Sequence, residues 1–558
     1  MISVTKPPAT VEALVVALEA EAAPNADSAT TVGPAEDVTA NRPAGLARGA
    51  LAGLLAAGLA LGVGEFVAGA VTGSTAPIVG VGNWVIDHVP PSVKTFAIRT
   101  FGTHDKQALI VGTTISLLVF ASVVGAVATR RLRLGLAGVG VFGLVGILAT
   151  LSRPTTDLVD ALPSLLGALA AAGALLLLLR PAPSEARRAA DPDTSPTPAL
   201  LAGGLDRRRF LLTAGATAAI AATAGGVGRA LQKRVSVVAD RARLVLPKPR
   251  SAAKALPAGI DTATPGITPF ITSNADFYRV DTALVVPQVS PASWKLRIHG
   301  MVDKEISLSF DDLMARPMIE RDLTLVCVSN EVGGHYAGTA RWLGVPLADL
   351  LKEAGVKAGA DQLVSTSVDG FTAGSPLATV MDGRDAMVAI GMNGEPLPVV
   401  HGFPARLVVP GLYGYVSATK WVTDLEVTTF DRFDGYWVKR SWAQQAPLQT
   451  MSRIDTPRGL QQLAAGRTPI AGVAWATHTG ISKVEVQIDG GPWQTARLAD
   501  TVGPDTWVQW FLEWDATPGT HNIVCRATDG AGHLQTEQRA APIPSGATGW
   551  HQIVALVS

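Results

Sequence analysis

Four runs of about 20 apolar residues, 45–71, 108–129, 134–151 and 158–179, crowd the first third of the chain. Each is long enough to cross roughly 30 Å of hydrocarbon as a helix. A fifth run, 210–227, is shorter and rich in Ala, Thr and Gly. Nothing after residue 232 resembles them, and there Trp, Asp and Pro recur at the frequency of an ordinary globular protein. A chain of 558 residues that is only 16% charged overall therefore divides into a membrane module over 44–232 and a water-soluble module after it. Residues 1–43, mostly Ala, Pro, Glu and Thr without a period, read as a disordered cytoplasmic tail. Residues 233–269, which include a Pro/Ala/Thr stretch, read as a linker.

Basic residues set the expected orientation. Arg42 and Arg48 flank the first run, Arg130, Arg131 and Arg133 lie between the second and third, and Arg187, Arg188 and Arg207 to Arg209 follow the fourth. All fall on one side if the chain starts inside, as the bias of Lys and Arg toward the cytoplasm requires. Five crossings then put the region after residue 232 outside the cytoplasm. Asp206-Arg207-Arg208-Arg209-Phe210-Leu211-Leu212 resembles a twin-arginine signal, departing from it at Asp206 and Leu212; the plain alternative is a stop of positive charge. The resemblance implies bacterial export of a folded, cofactor-loaded domain, hence a multi-pass protein of the bacterial cell membrane in contact with lipid. Formal charge balances at zero, and no basic stripe interleaved with aromatics marks a nucleic-acid partner. Among the first 250 residues the histidines are His88 and His104, and no Cys-x-x-Cys-His occurs. Neither haem nor an iron–sulfur cluster is expected, so electrons would leave through an external cytochrome or quinone-linked partner.

Between 270 and 450, short alternating strands such as Trp294-Lys295-Leu296-Arg297-Ile298 mix with helical stretches at 309–315 and 346–354. This is an α+β pattern without strict βαβ alternation. From about 466 to 556 the texture is all-β. Lys483-Val484-Glu485-Val486-Gln487-Ile488 alternates with period two and runs into Asp489-Gly490-Gly491, a hairpin signal. Trp507, Trp510 and Trp514 and the run Ile523-Val524-Cys525-Arg526-Ala527 continue at the spacing of an immunoglobulin-like sandwich. Cys525 alternates with Ile523 and Ala527 and reads as core; its spacing does not exclude a disulfide to Cys327.

Cys327 ends the β-type run Leu323-Thr324-Leu325-Val326 and is followed by Val328-Ser329-Asn330-Glu331-Val332-Gly333-Gly334. A thiolate at a strand mouth can hold a soft metal through one protein bond and leave its other positions open. A free cysteine packed as a small hydrophobe is the competing reading. Downstream lie Met392-Asn393-Gly394-Glu395-Pro396-Leu397-Pro398, then His401-Gly402-Phe403-Pro404-Ala405-Arg406-Leu407-Val408-Val409-Pro410-Gly411, Tyr413-Gly414 and Ser417-Ala418-Thr419-Lys420-Trp421. Together these closely resemble the molybdopterin domain of the sulfite oxidase family. Ala471 to Trp475 and Arg526 to Gly530 look like that family's dimerisation domain.

The resemblance implies a molybdenum–molybdopterin cofactor with Cys327 as the sole protein ligand to the metal, and a homodimer through the C-terminal domain. It places His401, Arg406, Ser417 and Lys420 at cofactor contacts, where Arg406 and Lys420 suit an anionic phosphate. Asn274, Phe277 and Tyr278 resemble the pterin-contacting segment of the methionine-sulfoxide-reductase branch. Arg279 matches a family arginine with a one-residue shift. Trp442 stands where the family's Trp-x-x-Arg-x-Tyr pattern, here Trp437-Val438-Lys439-Arg440-Ser441-Trp442, ends in tyrosine. Family sulfite oxidases carry arginines directly after the Cys-x-x-Asn unit, whereas this chain has Glu331 and Val332. A carboxylate beside the metal repels a dianion. The expected activity is therefore oxygen-atom transfer to or from an undetermined small molecule. True sulfite oxidation, or a non-catalytic membrane-anchored binding protein on the same fold, are the alternatives.

Overall fold

The computed structural model describes residues 42–71, 76–90, 93, 96, 100, 101, 105–152, 157–180, 199–234 and 237–558. The tail expected over 1–43 falls almost wholly outside the described residues, as do His104, Arg187 and Arg188. The first module contains α1 (Arg42–Ala70), the short α2 (Pro77–His88), α3 (Asp105–Ala128), α4 (Leu132–Leu151), α5 (Leu162–Leu178) and α6 (Ala199–Arg234). Five segments are long and apolar enough to cross a membrane: Gly45–Ala70, Lys106–Ala128, Leu132–Leu151, Leu158–Leu178 and Arg208–Gln232. The fifth run thus lies in the longest helix. With 36 residues, α6 is about 54 Å long at 1.5 Å per residue. No proline interrupts it, and it runs continuously through Asp206 to Leu212.

Small residues hold these helices together. A Cβ on Gly53 of α1 would collide with the Ala121 carbonyl of α3, and one on Gly228 of α6 with the Glu65 carbonyl of α1. In lipid, helices associate by such close backbone approach rather than by expulsion of water. Gly53→Leu is expected to wedge α1 from α3 at a cost of about 1–3 kcal/mol, read as a lower thermal midpoint of the full chain in detergent.

The bundle has two distinct ends. At one, Gly49 abuts Thr129 and the Arg48 guanidinium stacks 4.7 Å from the Phe210 ring centroid, which gathers Arg48, Arg130, Arg131, Arg208 and Arg209. At the other, Gln232 donates to Glu65 at 2.9 Å, Gly82 of α2 touches Leu284, and Lys106 reaches Asp281. The second module sits against this end.

That module begins with α7 (Val238–Arg243). From residue 237 on, the segment expected to be a linker is part of the folded body. Arg241 donates to the carbonyls of Pro396 at 2.7 Å and Leu397 at 2.8 Å, the Arg250 amide donates to Met318 O at 2.8 Å, and Ile260 joins the core. The apolar residues spaced among its prolines make it adhere. One mixed sheet then uses β1 (Lys295–Gly300), β2 (Ile306–Ser309), β5 (Gln362–Ser367), β6 (Thr372–Pro376) and β10 (Val422–Thr428), in the order β2-β1-β10-β5-β6. A second is antiparallel: β3 (Ile319–Val326), β4 (Ala337–Pro346), β7 (Met387–Met392) and β8 (Glu395–Pro396), with β9 (Arg406–Val408) on β7. The mixture agrees with the α+β expectation.

The C-terminal region starts earlier than expected, at β11 (Met451–Thr456). With β13 (Gly466–Trp475), β16 (Arg497–Leu498) and β17 (Val508–Ala516) it forms one sheet. The facing sheet holds β12 (Gln462–Leu463), β14 (Ile481–Ile488), β15 (Gln494–Thr495), β18 (Gly519–Asp529) and β19 (His551–Val557). Ile470, Val484, Trp510, Ile523 and Cys525 fill the space between them. The expected hairpin forms between β14 and β15, with Asp489 at φ 51° and Gly490 at φ 70°, the left-handed pair a tight hairpin turn demands. Both cysteines are free, so no disulfide joins Cys327 to Cys525. The two soluble regions share a core instead: Met451, Val473, Trp475 and Trp507 pack with Leu296, Val326 and Leu407.

Candidate functional site

The apolar run of β3 buries its whole second half, and β3 pairs with β4 up to Val326↔Ala337. The ladder stops at Cys327, whose amide donates to Tyr336 O at 2.9 Å. The Asn330 side chain accepts from the Tyr336 amide at 2.7 Å, closing the turn that the two glycines permit. The thiol is thereby held at the strand mouth with 8% exposure. Burial pushes it up, and hydrogen bonds from the Ser329 amide and hydroxyl oppose that. It borders a cavity of about 120 Å³ shared with Tyr278, His401, Arg406, Lys420 and Trp442.

Two cations line that cavity. Arg406 opens β9 and is 5% exposed. Its Nη1 and Nη2 donate to the backbone carbonyls of His401 at 3.1 Å and Ala418 at 3.3 Å, and its guanidinium lies 5.0 Å from the Trp342 ring centroid. No carboxylate among the described residues pairs with it, and burial pushes it down to about 10. A buried guanidinium held only by carbonyls is a preformed receptor for an anion. Lys420 donates to Asp281 Oδ2 at 2.8 Å and to Val400 O at 3.2 Å; burial pushes it down to about 8 against the pull of Asp281.

His401 lies between them. Burial first, then the charges of Arg406 and Lys420, lower it to about 4, so it is neutral at pH 7. Its Nε2 is 3.2 Å from Asn274 O, which fits a ring donating there. His551, in the C-terminal sheet, is lowered to about 4 mainly by burial. A histidine at about 6.5 when unfolded and about 4 when folded binds more protons unfolded between those values. Stability is therefore flat above pH 6.5 and falls as pH drops toward 4. His401→Gln is expected to flatten part of that decline in denaturation midpoints measured from pH 7 to 4.

The structure brings Cys327, Phe277, Tyr278, His401, Arg406, Lys420 and Trp442 to one cavity wall. It directs three other expected site residues elsewhere. Asn274 Nδ2 donates to Met392 O and Glu395 Oε1 while its carbonyl accepts from Asn393 at 2.9 Å. Ser417 Oγ donates back to Tyr413 O at 3.0 Å, the i−4 bond typical of serine in a helix. Arg279 turns onto Asp281 at 2.8 Å, with 39% exposure, and does not line the cavity. Glu331 is exposed and also absent from the lining, because the turn closed by Gly334 N on Glu331 O at 2.8 Å carries it outward. The carboxylate expected beside the metal thus faces solvent, where water and salt screen its charge.

Asp281, Tyr415 and Trp437 line the cavity and were not singled out for it from sequence. The Tyr415 ring meets Trp442 at 5.7 Å and the Trp437 ring meets it at 6.2 Å, so one part of the cavity lining is aromatic. The Trp437 to Trp442 motif carried a signal for this; Asp281, two residues after Arg279, carried none. Arg440 of the same motif faces away, donating to Tyr436 O at 2.7 Å and to Asp87 O of α2 at 3.1 Å. Among the described residues no group of three or more His, Cys, Asp or Glu could hold a metal. A metal at Cys327 would take its remaining ligands from a cofactor, and the two buried cations fit the anionic part of one.

A family model for the oxidoreductase molybdopterin binding domain matches residues 283–437. This region contains Cys327, His401, Arg406 and Lys420 and excludes Phe277, Tyr278, Asp281 and Trp442. The chain is 34% identical over 149 residues to the uncharacterized oxidoreductase YuiH of Bacillus subtilis, covering 72% of that protein and 27% of this one. It is 30% identical over 347 residues to mitochondrial sulfite oxidase of Homo sapiens, covering 52% of this chain and 62% of that protein. It thus spans less than two thirds of the human relative's length. The sulfane dehydrogenase SoxCD of Paracoccus pantotrophus superposes with a TM-score of 0.46 at 25% identity, over 52% of this chain and 84% of that one.

Proposed function

The chain belongs to the sulfite oxidase family of molybdopterin-binding oxidoreductases, and from that premise we propose that it is a membrane-anchored molybdenum enzyme transferring an oxygen atom to or from a small molecule. The observation that carries this reading is the shared cavity, lined both by the Cys327 thiol and by a buried Arg406 that has no carboxylate partner among the described residues. Cys327 would bind the metal, and Arg406 and Lys420 would hold the anionic tail of the pterin. When bound, the cofactor supplies a two-electron redox couple and the site of oxygen exchange. The protein's part is positional. His401, neutral at pH 7, keeps Arg406 and Lys420 from facing a third cation, and Phe277 and Tyr278, stacked at 5.2 Å, line the cavity, with the Phe277 ring edge-on to Trp342 of β4 at 5.8 Å.

The aromatic wall of Tyr415, Trp437 and Trp442 favours a substrate with apolar groups flanking its reacting atom over a compact dianion. Sulfite is the second reading, supported by the similarity to human sulfite oxidase. The arginine end of the bundle lies away from the catalytic region, which by the cytoplasmic bias of basic residues supports an extracytoplasmic site. Electrons would then pass to an external carrier, and the twin-arginine-like segment would serve export. Molybdenum per chain, in full-length protein from a strain that makes the cofactor, tests the reading. Near-stoichiometric metal is expected, and its absence rejects the enzyme. Substrate-dependent reduction by sulfite, or oxidation by sulfoxides, separates the two substrate classes.

A further inference from the structure

Asp281 ties the cavity to the membrane module. Its side chain is 4% exposed and is surrounded by three cations from three parts of the chain. Oδ2 accepts from Lys420 Nζ and from Arg279 Nε, both at 2.8 Å. Oδ1 accepts from Lys106 Nζ at 2.9 Å. Lys106 stands at the start of α3, and its ammonium also donates to the backbone carbonyls of Asp281 at 3.0 Å and Ala283 at 2.7 Å. Three acceptors on one short segment thus bind one lysine head, which has three N–H donors to give. Burial acts to raise the Asp281 carboxyl, but Lys420, Arg279 and Lys106 outweigh it and hold it well below the usual carboxylate range.

Lys420 lines the same cavity as Cys327 and Arg406, and unlike Arg406 it is held by a carboxylate, that of Asp281, from which an incoming anion has to draw it. If Lys420 turned to that anion with no substitute, Asp281 would lose a main counter-charge in a buried place. Such exposure of a buried carboxylate opposes the exchange. We propose that Lys106 is a positioning residue that keeps Asp281 neutralised, releasing Lys420 to the cofactor's anionic group, so that loading of the catalytic cavity depends on the membrane module. This rests on the cofactor reading above. A second contact holds the geometry: Tyr436 donates to Asp87 of α2 at 2.8 Å, next to the cavity residue Trp437, so the membrane module grips the cavity wall at two points.

The test uses the full chain in detergent, with molybdenum per chain and the rate of metal loss in rising inorganic phosphate as readouts. Lys106→Met is expected to lower occupancy at limiting cofactor supply, and to speed loss, by about tenfold, the size of one coupled pair. Lys106→Arg should restore both. In Lys106→Met/Asp281→Asn no carboxylate competes for Lys420, and most of the molybdenum should return. A purely structural role for Lys106 predicts no such return, so a double variant as empty as the single overturns the proposal. Wild-type occupancy and loss rate in Lys106→Met also overturn it. A wild-type chain that never carries molybdenum rejects the cofactor reading itself, and this inference with it, whereas a loaded wild type with indifferent variants rejects only this inference.

Discussion

Cys327→Ser is expected to empty the site of molybdenum and to lower oxygen-atom turnover by at least about a hundredfold, the scale at which even the outer partners of a metal ligand act. Cys327 is the one thiol lining the cavity, and among the described residues no group of three or more His, Cys, Asp or Glu could hold a metal in its place. A serine hydroxyl is a hard oxygen donor and a poor substitute for a soft thiolate. The position is nearly isosteric, and the backbone bond from the residue 327 amide to Tyr336 O does not involve sulfur. Folding should therefore be preserved, with an unchanged thermal midpoint in the metal-free state. Elemental analysis of the purified full chain, beside turnover with sulfite and with sulfoxides, reads the result. A serine variant that retains metal and turnover would remove Cys327 from the metal.

The largest expected loss of stability lies at Arg453, where the catalytic and C-terminal regions meet. Its side chain is 2% exposed and Nε donates to Asp455, itself 4% exposed, at 2.6 Å. Nη1 donates to Gly334 O at 2.7 Å and Nη2 to Thr268 Oγ1 at 2.9 Å. One guanidinium thus bridges β11, the turn after Cys327 and the segment before Phe270. Arg453→Met leaves Asp455 buried with its charge partner gone, at a cost of about 3–5 kcal/mol. The denaturation midpoint should fall accordingly, and Asp455→Leu added to it should recover a large part, because replacing both charges removes the unpaired one. Since Gly334 closes the turn after Cys327, the single variant should also hold metal less well. A midpoint that does not move would mean that the pair is not buried in the working protein.

Much of this architecture was legible in the chain. Runs of apolar residues at 45–71 and 158–179 declare helices long and apolar enough to cross a membrane, because hydropathy over 20 residues is a local property. The period-two alternation from Lys483 to Ile488 followed by Asp489-Gly490 declares a hairpin for the same reason. The strand ending at Cys327 and the constellation of His401, Arg406 and Lys420 were also legible, through the family pattern they share. The extent of α6 and the adherence of 237–269 to the catalytic body were not. Proline- and alanine-rich composition suggested a free linker, yet Arg241 bonds Pro396, 155 positions away, and Ile260 joins the catalytic core, which no local period records.

Side-chain direction was the least legible property. Asn274, Arg279, Ser417 and Glu331 sit at the expected positions along the chain, yet each points to a neighbour or to solvent rather than into the cavity. Which way a polar side chain turns is decided by the best available partner, and that partner is brought by packing. By itself the sequence determined the division into modules, the alternation of strands, and the residue types able to hold a soft metal and an anion. Only the tertiary structure decided that Asp281 sits among Lys420, Arg279 and Lys106, the last of them 175 positions from it, and that aromatic rings from 415–442 line the cavity that the thiol borders. Propensity and period act over a few residues, whereas a charge cluster in a buried place exists only once distant segments have expelled the water between them.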